Sequence, residues 1–177
     1  MNSDLRRYHN QLGDNTMAYI NPSPGVSGAQ VTLTLYHTSK VADASGLVVP
    51  ALQNITINNS NDVFTWSQLD STGKKQIATT STNSLAMNLV VDPTSFFPGS
   101  SPTTTAASQG ILGLSKNKIK VAFELVMGDT DGGANTKTIS GEGYITGLAP
   151  TVSADSPVWV SPITITVTGD YTATTTA

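Results

Sequence analysis

The chain has no cysteine, which excludes disulfide scaffolds, zinc ribbons and thiol nucleophiles. Charge is scarce as well. Only 12% of the 177 residues are Asp, Glu, Lys or Arg, against roughly 25% in an average globular domain. Glutamate occurs at two positions, Glu124 and Glu142, and lysine at seven. So few surface-helix formers argue against a helical bundle, a coiled coil and an α/β nucleotide-binding enzyme. The net charge of −3 argues against a protein that grips nucleic acid by charge. Uninterrupted apolar runs are only a few residues long, too short for a membrane-spanning helix. Residues 1–16, MNSDLRRYHNQLGDNT, carry no apolar h-region of a secretory signal and read as a polar N-terminal arm.

What the chain has in abundance is small hydroxyls: 26 Thr and 19 Ser. Threonine is β-branched and suits strands. In Gln30–Thr38, Val31, Leu33 and Leu35 alternate with Thr32, Thr34 and Tyr36, the period of two of a half-buried strand. Asn54–Ile57 and Val63–Trp66 are shorter strand candidates around the polar NNSND, and Ser84–Val91 alternates again. Residues 92–110 are rich in Pro, Ser, Thr and Gly and form a long connection, with room for a short helix near 104–114. Lys118–Met127 is the clearest strand, with Ile119, Val121, Phe123 and Leu125 as expected core and Lys116, Lys118 and Lys120 in a row on the other face. A Gly-rich turn at 128–135, a strand at 137–145 and a strand from Val158 through Thr168 complete the pattern, and 171–177 reads as a polar tail. The expectation is an all-β fold, a sandwich or barrel with one short flanking helix, as a single domain over 17–170.

Side chains that could carry chemistry are few. His9 lies in the arm and His37 at a strand end with no carboxylate close in sequence, and no Gly-x-Ser-x-Gly elbow is present. Asp129-Thr130-Asp131 resembles the start of a calcium loop. Its fifth position is Gly133 and its twelfth Ser140, where oxygen ligands and a glutamate belong, so it reads as a hairpin tip. Gly141-Glu142-Gly143 misses the dinucleotide fingerprint by one place; a bulge or a close backbone approach explains those glycines. The lysine row reads as a solvated face or protected edge, and Trp66 and Trp159 as core or interface residues. The sequons at Asn54 and Asn58 read as chance matches in a polar chain. No nucleophile–base pair or metal set is found, so neither an enzyme nor a cofactor is expected.

The order of elements then becomes informative. A strand at Val31–Thr38 precedes a long polar hairpin region containing Phe64-Thr-Trp-Ser-Gln-Leu-Asp-Ser-Thr-Gly-Lys-Lys. A crossover with Gly-Ile-Leu-Gly-Leu follows, then KIKVAFELVM and ISGEGYITGLAPTVSADSPVWVSPITITVTGDYT. That closing stretch resembles the last strands of tailed-phage tail-tube proteins, and the likeness covers about residues 30–172; the inner-tube protein of type VI secretion systems is similar in fold. The resemblance implies a structural, self-assembling virion protein. Subunits would form rings, hexamers on this reading, by joining sheets into a lumen-lining barrel, and the rings would stack into a tube through which DNA passes unbound. Other tail proteins would be its partners, with no membrane, the virion tail its location and the host cytoplasm its place of assembly. Glu124 and Glu142 are the candidates for the lumen face, and the lysine row for the outer surface. The segment 40–82 is the candidate assembly loop or hairpin, with Leu47, Val48, Phe64, Trp66, Leu69, Lys74 and Lys75 at the ring-stacking interface. The alternative is an Ig-like or fibre-like β-module on a virion or cell surface that recognises host glycan or protein.

Overall fold

A computed structural model describes residues 31–43, 45–70, 72–128, 136–153 and 156–176. The N-terminal arm with His9, and the calcium-like Asp129–Asp131, lie outside them. The described residues form nine strands and two helices: β1 Val31–His37, β2 Leu47–Val48, β3 Leu52–Ser67, β4 Lys74–Val90, α1 Pro93–Phe96, α2 Ala106–Lys116, β5 Val121–Met127, β6 Thr136–Leu148, β7 Thr151–Ser153, β8 Ser156–Val167 and β9 Thr172–Thr176.

All strand pairs are antiparallel, in one sheet of order β2-β1-β5-β6-β8-β4-β3, with β7 on β8 and β9 on β6. Strand β6 joins two halves. Its first part pairs with β5 from Lys137 to Gly143, and its last part with β8 from Gly143 to Leu148. The hand-over falls at Gly143, where a Cβ would collide with the backbone oxygen of Thr166. Glycine is needed there for close backbone approach. The sheet thereby turns its inward faces onto one cluster. Leu33, Leu35, Val121, Phe123 and Leu125 of one half meet Leu85, Met87, Leu89, Ile163 and Ile165 of the other, with Ile111 and Leu114 of α2. Each such burial contributes about 2 kcal/mol gross.

The crossover holds two helices where one was expected. Asp92 caps α1, accepting from the Ser95 amide (2.9 Å) and hydroxyl (2.7 Å); these bonds, the hydroxyl's first, hold its carboxyl below the ordinary carboxylate range. Helix α2 is kinked at Gly110 (φ 62°, ψ 169°), where a Cβ would sit 2.5 Å from the Phe97 oxygen. It packs against β1, β2 and β6.

The expected strand from Lys118 is shorter, beginning at Val121. Lys116 is the last residue of α2, and Lys118 has φ 53°. The Lys118 amide donates to Ser115 O (3.1 Å) and the Ile119 amide to Leu114 O (3.0 Å). This is a Schellman close with lysine in the left-handed position usually held by glycine. The lysine row is therefore split: Lys116 and Lys118 belong to the helix end and its turn, whereas Lys120, just before β5, pairs with Glu142, and Ile119, partly buried against the core, follows the helix close. Because a Cβ is penalised in that conformation, Lys118→Gly is expected to stabilise the fold by about 1 kcal/mol. A thermal melt would show a midpoint rise of about 2–4 °C; a fall would refute the cap.

The segment read as two short strands around the polar NNSND is one 16-residue strand, β3, paired with the 17-residue β4. The C-terminal residues read as a tail form β9, whose threonines pair with Thr136–Ser140.

Candidate functional site

The β3–β4 hairpin outruns the core. At its base Ile55 and Ile57 pack on the hydrophobic cluster, opposite Met87 and Leu85. Asn83 is buried, and Asn59 donates to the Tyr171 hydroxyl at 3.3 Å. Beyond these the ladder is exposed on both faces, apart from a half-buried Trp66. The backbone pairs still run out to Ser67↔Lys74, so the extension is an arm.

A bulge sets the arm's faces. Between Asn61↔Ser81 and Val63↔Ala78, β4 carries Thr79 and Thr80 opposite the single Asp62. Both hydroxyls bond that residue, Thr79 to its carbonyl (3.2 Å) and Thr80 to its carboxylate (2.9 Å). The extra residue shifts the alternation of β4 by one. Ile77 comes opposite Phe64, and Lys75 opposite Trp66. All four share the face pointing away from the core side, because β3 alternates regularly from the inward Ile55 and Ile57. The Phe64 and Trp66 rings stack at 5.9 Å, yet Phe64 is 59% and Ile77 55% exposed.

Of the residues expected at a ring interface, the arm brings together Phe64, Trp66, Leu69, Lys74 and Lys75. Leu69 is fully exposed in the turn. Val48 is exposed on the short edge strand β2, away from the arm. Leu47 is a correction: it is buried in the core against Leu35, its partner in β1. Ile77 was missed, because without the bulge the period of β4 gives it the opposite face.

Glu124 and Glu142 occupy one face of neighbouring strands, opposite Ser140 and Ala122 respectively. They line a groove of about 420 Å³ with Tyr36, Lys40 and Asp170. Each is paired. Lys40 Nζ reaches Glu124 at 2.8 Å, and Lys120 Nζ reaches Glu142 at 2.8 Å. The Tyr36 hydroxyl also donates to Glu124 at 3.0 Å. The bond from Lys40 holds the Glu124 carboxyl below its ordinary range, against the opposing effect of burial. A depressed folded pKa contributes stability that is present above the unfolded value of about 4.3 and is lost as pH falls through the folded one. Since Lys40 is mostly exposed, Glu124→Gln is expected to cost only about 0.5–1 kcal/mol at pH 7. In denaturant titrations the gap between parent and variant should begin to shrink as pH falls below about 4.3 and close only once pH has passed the depressed folded pKa; a gap that does not narrow with falling pH would refute the pairing.

Solved structures with a similar fold come from phage and gene-transfer-agent tails and from contractile injection systems. Over 84% of this chain, the fold matches the SPP1 tail tube with a TM-score of 0.60 at 13% identity, covering 78% of that chain. It matches the tail of an empty gene transfer agent particle, refined with C6 symmetry, with a TM-score of 0.58 at 11% identity, covering 84% of this chain and 98% of that one. A third match is a chain of the PVC extracellular contractile injection system, sheath–tube complex in its extended state, with a TM-score of 0.53 at 13% identity and 84% and 90% coverage. No family model and no curated protein sequence matches the chain. The likeness establishes the tail-tube fold.

Proposed function

We propose that the chain is the major tail-tube subunit of a tailed-phage-type particle, a structural protein of the virion tail that assembles with itself and with other tail proteins. The observation that carries this reading is the arm: a two-stranded ladder extended past the core, with Phe64, Trp66 and Ile77 held on one exposed face. A free subunit gains nothing from such a face, whereas a neighbouring ring would bury it. The fold it grows from is that of the tail tubes. Rings are six-fold on this reading, as in the C6 tail of the gene transfer agent. The Glu124/Glu142 face lines the conduit. Its two ion pairs cancel their own charge, so passing DNA meets no basic lining to hold it by counterion release. The role is mechanical, without catalysis, cofactor or membrane, and assembly takes place in the host cytoplasm.

Negative-stain electron microscopy of the concentrated protein tests this. Stacked hollow rings are expected; persistent monomers that bind host glycans would overturn the reading in favour of a surface-binding module. A trimmed variant in which Asn61 joins Ser81 through Asn-Gly, a two-residue hairpin turn, should melt within a few degrees of the parent and form no long tubes. Hydrogen exchange at 62–80 should be fast in the subunit and slow in tubes. Long tubes from the trimmed variant would overturn the stacking role.

A further inference from the structure

A second exposed apolar surface lies at the other end of the same ladder. Val91, Pro93, Phe97, Val158 and Trp159 line a cleft of about 290 Å³. It is built where β4 runs out into α1. The Val91 amide donates to Trp159 O at 2.8 Å, which fixes the base of the cleft. Phe97 meets Trp159 edge-on with ring centroids 6.3 Å apart, and Phe96, buried beneath, holds Phe97 at 5.2 Å. Despite this framework Trp159 is 42% and Val158 44% exposed. The rings are fixed in place, and the cleft between them stays open.

We infer that this cleft is the receptor for the arm of a second copy of the chain, taking the Phe64/Trp66/Ile77 face of the neighbour in the next ring. The inference rests on the tube reading and names the partner surface that reading leaves open. Geometry selects a second copy. Strand β4 has 17 residues, an extended length of up to about 55 Å. The arm's patch is at one end of it and the cleft at the other, so no chain can fill its own cleft. The two surfaces also lie on opposite faces. The patch points away from the core side. Val91 and Trp159 continue the inward register of Leu89 and Ser161. Copies displaced along the strand therefore overlap like shingles, the outer face of one tip against the inner face of the next base. A contact between two different patches at opposite ends is heterologous, and because each copy is displaced along the strand it does not close, which propagates a stack.

Charge agrees. Lys75 shares the patch face beside Trp66. Asp92, between the cleft residues Val91 and Pro93, carries a carboxylate held by Ser95. The apolar contact is thus flanked by a cation on one side and an anion on the other, which orients it.

Because the chain lacks cysteine, cross-linking reads the contact directly. Ile77→Cys and Val158→Cys replace exposed side chains, and a melt confirms each fold. With a short bismaleimide, the double variant is expected to give a ladder of covalent multimers beyond the dimer, and each single variant a dimer at most. Val158→Asp should leave the melting midpoint within about 2 °C, as for an ordinary surface change, and abolish tubes. Tubes that form from the parent and from Val158→Asp, with no ladder from the double variant, would overturn the cleft while keeping the tube reading. A ladder from protein that microscopy shows to form no tubes would keep the contact and overturn the tube.

Discussion

Replacing Asp43 by alanine is expected to cost about 4 kcal/mol and to lower the melting midpoint by on the order of 10 °C. The residue is 1% exposed, and its carboxylate ties three parts of the chain together. Oδ2 accepts from the Ala106 amide at 2.6 Å and the His37 amide at 3.0 Å; Oδ1 accepts from the Gly46 amide at 3.3 Å. These amides belong to the first residue of α2, the end of β1 and the turn before β2. Alanine would leave all three donors without this acceptor, and a stranded buried donor costs about 1–3 kcal/mol. The negative charge also sits at the start of α2, where the helix dipole favours it. Burial by itself would raise this carboxyl's pKa; the three amides outweigh it and hold it below the ordinary range. The folded pKa being depressed, the charge-dependent part of the stabilisation is complete above the unfolded value of about 3.9 and is lost as pH falls through the folded one. Asp43→Asn should therefore lie between parent and alanine variant at pH 7, with its gap from the parent shrinking below about pH 4. An alanine variant melting within 2 °C of the parent would show the three bonds to be dispensable.

Nothing in the sequence around Asp43 marks it, because its partners lie up to 63 residues away. The parts of the fold legible from sequence are those in which one strand face meets a core. In β1 and β5, Leu33, Leu35, Val121, Phe123 and Leu125 alternate with polar or half-exposed neighbours, and burial of that face imposes the period. The outer part of the arm has water on both faces and hence no period. The NNSND residues are strand because their backbone groups pair with β4, whereas their side chains favour turns. The lysines misled in a related way. Lys116, Lys118 and Lys120 are spaced as on a strand, but Leu114 commits the preceding turn of α2 to the core and Ile119 closes it. A six-residue helical stretch after Gly110 is too short to display its own period.

The apolar residues of the arm were legible as a set, and the bulge that makes them a surface was not. This gives a prediction that separates composition from geometry. Inserting one threonine between Asp62 and Val63 supplies the partner that Thr79 lacks. The pairs Asn61↔Ser81, Val63↔Ala78 and Phe64↔Ile77 can all persist, now in a regular ladder. Every residue beyond the insertion then exchanges faces, since the side-chain period of a strand is two. Phe64, Trp66 and Ile77 would turn to the inward side, with Val63, Thr65 and Ala78 outward. The core is untouched, so the melting midpoint should stay within a few degrees of the parent. Tubes should be lost, because the neighbour would meet a small and largely polar face. Deleting Thr80 is the matched control. It also removes the bulge, but by shortening β4, so Ile77 keeps its place opposite Phe64 on the outward face and tubes should still form. The insertion and the deletion both abolish the local bend and twist that a bulge brings, so only the direction of the patch distinguishes them. Tubes from both variants would show that stacking does not depend on which way the aromatic face points; tubes from neither would show that the bend itself is what the neighbouring ring requires.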